Sequence, residues 1–193
     1  MGSLGHLLGI MTGMIDIIFE SHATTLDNEK KIASGHFDVA LSNIGIEKAK
    51  QLGERRAGEH FDAIFCSDLQ RSYKTAELAF GDKFPIFQDR RLRECDYGDY
   101  EHRPSSEIEA ERPKRVTRPF PHGESYEQCA EYMKTFLEEV LAKYDGKRVM
   151  VVGSRATQYG LERWVDGKTL EEIVAASWQW QPGWTYRLEK ISA

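Results

Sequence analysis

The sequence predicts an α/β fold: three layers, α/β/α, built on a mainly parallel central sheet with an inserted flap. Two observations predict it. Short apolar runs rich in β-branched residues alternate with longer segments of helical periodicity, the pattern of strands joined by crossover helices. Several runs are apolar at consecutive positions, as strands covered on both faces are. A length of 193 residues fits one domain, here residues 14–193.

Each element has its own signal. Residues 1–13, MGSLGHLLGIMTG, are too short and lack the basic start of a signal peptide, so they read as an extension or added remnant before Met14. Residues 15–19 (Ile-Asp-Ile-Ile-Phe) form the first strand. Ser42 opens a helix through Ile46, Ala49 and Leu52. Residues 62–66 are the second strand, followed from near Asp68 by a helix carrying Tyr73, Ala76 and Ala79. Residues 85–87 are a short third strand. The clearest helix spans 125–144: Ser125 and Gln128 match a capping box, Cys129, Met133, Phe136, Leu137 and Val140 share one stripe, and Asp145-Gly146 ends it. Residues 149–152 are the fourth strand, and 184–188 alternate as a last one.

Residues 96–122 interrupt this order. They hold four prolines with Arg103, Arg112, Lys114, Arg115 and Arg118, and they are too long for a simple connection. A flap offering positive charge to an anionic substrate is expected, against the alternative of a solvated loop.

A net charge of -5 argues against nucleic acid as a partner. No apolar run is long enough to span a membrane, and an odd count of three cysteines fits a reducing, cytoplasmic setting. The oligomeric state is left open. Cys66 and Arg71 have the residue types of a thiol phosphatase loop, but only four residues separate them, so Cys66 reads as a buried, inert strand end.

Three strand ends carry polar residues: Glu20 to Thr25, Ser67 to Arg71, and Gly153-Ser154-Arg155. In a parallel sheet these ends share one edge, where the following helices aim N–H groups and positive dipole ends. A histidine and two arginines there suit a phosphate group.

Further motifs follow along the chain: Ser21-His22-Ala23-Thr24-Thr25 with Asn28, then Gly35, Asp38, Leu41 and Ser42-Asn-Ile-Gly45. Ser67-Asp-Leu69-Gln-Arg71 with Thr75-Ala76, Arg91-Leu92-Arg93-Glu94 and Gly123-Glu124-Ser125 come next. In this order they resemble the signatures of the histidine phosphatase superfamily, in its phosphoglycerate mutase-like branch. The resemblance implies a phosphatase of small phosphomonoesters. His22 would be the nucleophile, Arg71 would hold phosphoryl oxygens, and Glu94 would serve as acid and then base. Asn28 would contact the phosphate or substrate. It requires no metal and no cofactor, because arginines and helix ends supply the positive field. A mutase fits less well, since the chain is short for that branch and its flap differs.

Two departures stand at the centre of that pattern. Ser21 replaces the family's first arginine and Ser154 its second histidine. Loss of one preorganised donor costs about 3–4 kcal/mol of transition-state stabilisation. Both serines remain candidate substrate contacts, and Ser154 also suits a helix N-cap. Arg155 has two readings: it replaces the missing phosphate-binding charge, or it pairs with Glu20, which desolvation of a buried carboxylate favours. Trp178, Trp180 and Trp184 are expected to pack the core rather than line a ligand site. The rival functions are a weak or inactive phosphate-ligand-binding protein of the same fold, or reuse of the pocket for other chemistry with Glu20 or Glu94 as acid/base.

Overall fold

The computed structural model describes residues 13–189. All but the last residue of the expected 1–13 extension lies outside them. Five strands form one sheet: β1 Ile15–Ser21, β2 Ala63–Cys66, β3 Ile86–Gln88, β4 Arg148–Gly153 and β5 Trp184–Leu188, in the order β3-β2-β4-β1-β5. The pairs among β1 to β4 are parallel, and β5 runs antiparallel against β1. Seven α-helices complete the described chain: α1 Leu26–Glu29, α2 Asn43–Arg55, α3 Gln70–Phe80, α4 Ser105–Glu111, α5 Tyr126–Lys143, α6 Arg155–Trp164 and α7 Leu170–Ala175.

The two-residue period of the strands divides the core. Ile15, Ile17 and Phe19 of β1, with Val149 and Val151 of β4, pack on Phe136 and Leu137 of α5 and Leu161 of α6. Ile18, Ile64, Met150 and Val152 face the opposite way, onto Leu52 of α2 and Ala76 and Phe80 of α3. Both sheet faces are therefore dry, which is why the strands carry apolar residues at adjacent positions. The capping boxes work as expected at α5, where Ser125 N–H donates to Gln128 Oε1 at 2.8 Å. At α2, a Cβ on Gly45 would collide with the Thr24 carbonyl, so glycine lets the helix start press against the turn after β1. Among the described residues no helix is long and apolar enough to cross a membrane.

The segment 96–122 is neither an open loop nor a uniformly basic cover. Ile108 of α4, Val116 and Phe120 are buried in a third cluster with Tyr97, Tyr126 and Tyr159. Its cations mostly turn away: Arg103 pairs with Glu107, and Lys114 and Arg115 pair with Glu111. Arg112 alone of its basic side chains joins Ser105 and Ile108 in lining the cavity at the strand ends.

Candidate active site

The parallel strands bring their carboxyl ends to one edge, and a cavity of about 520 Å³ opens there. Ser21, His22, Asn28, Arg71, Glu94, Ser154 and Arg155, all singled out in the sequence, line it together.

The floor is fixed by main-chain bonds. His22 N–H donates to Gly153 O at 2.9 Å, continuing the β1–β4 ladder one step beyond the sheet. Ala23 N–H donates to Thr75 Oγ1 at 2.9 Å, and that hydroxyl donates to Arg71 O at 2.6 Å, tying the turn to α3. The His22 ring places Nδ1 2.8 Å from Ala23 O. A carbonyl can only accept, so Nδ1 carries the proton and Nε2 keeps its lone pair. Burial, then the Arg71 charge, push the His22 pKa down to about 4. The ring is neutral at pH 7.

Arg71 is 2% exposed. Its guanidinium donates to Phe37 O at 3.0 Å, Ser34 O at 3.1 Å and Gly35 O at 2.5 Å. These bonds use three of its five N–H groups and leave two for a ligand. Burial lowers its pKa, opposed first by Glu94.

Glu94 is buried, unlike its neighbour Arg93, which forks onto Asp68. Its Oε1 accepts from Cys95 N–H at 2.8 Å, and its Oε2 from Arg155 N–H at 3.0 Å and Ala156 N–H at 3.4 Å. A carboxylate thus occupies the N-terminus of α6. At α3, Gln70 N–H donates to Asp38 Oδ1 at 2.8 Å. The helix ends expected to supply the positive field are already engaged by acidic side chains, a favourable use of the same dipoles. Ser154 is the N-cap of α6, with its N–H on Thr157 Oγ1 at 2.9 Å. Asn28 Oδ1 closes the α1 cap by accepting from Thr25 N–H at 3.0 Å, so a ligand would meet its NH₂ group.

The favoured pairing of Arg155 with Glu20 does not occur. Glu20, 3% exposed, is held by Arg55 Nη2 at 3.1 Å and by Arg56 Nη2 at 2.7 Å. Two cations from the end of α2 therefore satisfy the buried carboxylate, and Arg155 is released. Its guanidinium lies 4.2 Å from the ring centroid of Trp178. Burial lowers the Arg155 pKa, and the nearby Arg112 charge adds to the lowering.

The tryptophans divide. Trp184 packs on Phe19 in the core, as expected. Trp178 and Trp180 instead line the cavity, and Trp180 is 62% exposed. Trp178 Nε1–H donates to Gln158 Oε1 at 2.9 Å, which orients the ring. His36 and His122 lie elsewhere, beside Asp96 and Asp99, and Cys66 is buried with its thiol pushed up to about 12.

The cavity is strongly cationic. Lys48, Arg55, Arg71, Arg112 and Arg155 line it against only Glu20 and Glu94. Glu20 is matched by Arg55 and Arg56, while among the described residues Lys48, Arg71, Arg112 and Arg155 join no ion pair. Arg112 Nε is buried without a hydrogen-bond partner. Sequence reasoning gave Lys48 and Gln158 no role. Their only signal is a helical spacing that places them on the cavity side of α2 and α6.

The histidine phosphatase superfamily (branch 1) model matches residues 17–185. Phosphoglycerate mutase-like protein 4 of Arabidopsis thaliana is 30% identical over 149 residues, 71% of this chain and 65% of that protein. Phosphoserine phosphatase 1 of Hydrogenobacter thermophilus is 30% identical over 148 residues, 72% of this chain and 70% of that protein. The solved structure of Bacillus stearothermophilus YhfR superposes with a TM-score of 0.76 at 22% identity, covering 87% of this chain and 88% of that one. A family match that reaches all five strands, with His22, Arg71 and Glu94 meeting in one cavity, makes this chain a member of the histidine phosphatase superfamily, branch 1.

Proposed function

We propose that this chain hydrolyses a small phosphomonoester through a phosphohistidine at His22. The observation that carries the reading is the state of His22: a neutral ring, anchored through Nδ1–H, in a cavity where cations outnumber carboxylates. A relative named as a phosphoserine phosphatase supports the substrate class.

The steps follow from the groups present. The Nε2 lone pair attacks phosphorus as the P–O ester bond breaks. The Glu94 carboxylate first takes up a proton, brought by the phosphomonoester monoanion, and the departing oxygen receives that proton. Water then attacks phosphorus, its proton returns to Glu94, and the P–N electron pair returns to His22. Arg71 binds phosphoryl oxygens with its two remaining N–H groups. Arg112 and Arg155 supply charge that Ser21 and Ser154 do not, and Asn28 donates from its amide.

A second reading, a weak or inactive phosphate-ligand binder, is favoured by one observation. The α6 N–H groups next to Ser154 are bonded to Glu94 rather than open to a phosphate. Assay of a phosphomonoester panel separates the two. On the first reading the chain turns over, His22→Ala abolishes turnover, and Ser154→His raises kcat/KM by about 100-fold. Binding of inorganic phosphate with no turnover in any form would establish the second.

A further inference from the structure

The geometry points to a zinc-type metal site at Cys95, Glu124 and Cys129, none of which lines the cavity at the strand ends. The two sulfurs and a Glu124 carboxylate oxygen all lie within 4.8 Å of one another. Cys129 Sγ and Glu124 Oε2 are 3.8 Å apart. Two ligands of one tetrahedral zinc, at bond lengths of about 2.0–2.3 Å, stand roughly 3.5–3.8 Å from each other, so this pair is already spaced to share an ion.

The three donors come from two parts of the chain. Cys95 follows the Arg-Leu-x-Glu motif, Glu124 immediately precedes the α5 cap, and Cys129 sits in the first turns of α5. Both cysteines are buried and neither is in a disulfide. Asp96 N–H donates to Glu124 Oε2 at 3.1 Å, which orients the carboxylate toward the sulfurs. His36 Nε2 lies 3.6 Å from that same oxygen. A second cavity, lined by His36, Glu124, Cys129 and Tyr132, opens onto the cluster and provides an entry path. Glu94, which also lines the first cavity, and three arginines complete this side: Arg91 is paired with Asp89 and Glu139, Arg93 with Asp68, and Arg90 joins no ion pair among the described residues.

Two thiolates and one carboxylate favour a borderline-soft divalent cation over magnesium or calcium. The fourth position would go to His36 Nε2 or to water from the cavity. Binding would release the two thiol protons. The proposed hydrolysis uses none of these residues. The Cys95 N–H bond to Glu94 Oε1 nevertheless links the site to that carboxylate through one residue of backbone.

The test uses the full chain, reduced and freed of metal, titrated with zinc by calorimetry and with cobalt(II) by absorption. One equivalent should bind, and cobalt should show a thiolate-to-metal charge-transfer band. Cys95→Ser and Cys129→Ser should each weaken zinc binding roughly 100-fold or more and remove much of that band. Glu124→Gln should weaken binding while keeping the band. Absence of the band in the unsubstituted chain would overturn the proposal whether or not the variants fold. So would zinc affinity indifferent to both cysteines, or a Cys95–Cys129 disulfide in air whose reduced form binds no metal.

Discussion

The floor and the rim of the cavity at the strand ends are built differently. On the floor, three groups are held by the backbone: His22 by Gly153 and Ala23, Arg71 by three carbonyls, Glu94 by three N–H groups. On the rim, Arg155 rests on Trp178, Trp180 stands in solvent, and Arg112 Nε has no partner. Fixed groups suit the making and breaking of bonds, because preorganised donors need no rearrangement as charge develops. Groups held by stacking suit recognition of a leaving group that varies. On the proposed phosphatase reading, the charge that Ser21 and Ser154 do not supply comes from Arg112 and Arg155 at the rim.

The largest test of this division is on the floor. Arg71→Lys keeps the charge but loses the fork and at least two carbonyl bonds. It should lower kcat by about 100- to 1000-fold with a smaller change in KM, measured by steady-state kinetics.

Acid should act on the floor as well. The His22 pKa lies near 4 in the folded chain and near its ordinary value of 6.5 in the unfolded one. Between those values the unfolded state binds the extra proton, so stability from this group is present above pH 6.5 and is lost as pH falls toward 4. The loss should be about 3.5 kcal/mol, at about 1.4 kcal/mol per pKa unit, read from urea unfolding at a series of pH values. His22→Asn should flatten that dependence. In the free enzyme, kcat/KM should fall on the acid side through pH 4 as Nε2 takes a proton.

On the rim, Arg155→Ala should raise KM about tenfold with kcat nearly unchanged, since a charge-assisted hydrogen bond is worth about 1.5–3 kcal/mol. A fall in kcat at constant KM would move Arg155 to the floor and break the comparison. The smallest effect is expected at Trp180→Ala: a two- to fivefold rise in KM that varies across substrates, consistent with the ~0.5–1 kcal/mol of an exposed stacking contact.

The sequence itself revealed much of the floor. His22 and Arg71 stand in local motifs at strand ends, which a parallel sheet must bring to one edge, while Glu94 was reached only through the family resemblance of its Arg-Leu-x-Glu run. The Ser125 capping box and the adjacent apolar positions in β1 and β4 were equally local signals. The rim was not legible. Arg112 was one of five cations in a proline-rich segment, and only the folded structure singles it out as a cavity residue. Trp178 and Trp180 carry no periodicity that separates a core ring from a ligand-facing one.

The fate of Glu20 draws the boundary. Sequence alone determined that a carboxylate at the end of a buried strand needs a cation, because desolvating an unpaired charge is too costly. It could not determine which one. Arg155 is adjacent by strand pairing, but Arg55 and Arg56 reach Glu20 from the last turn of a helix packed across the sheet face. That choice depends on where a helix ends in space, a property of packing rather than of local pattern. Tertiary structure thereby left Arg155 free to face the cavity.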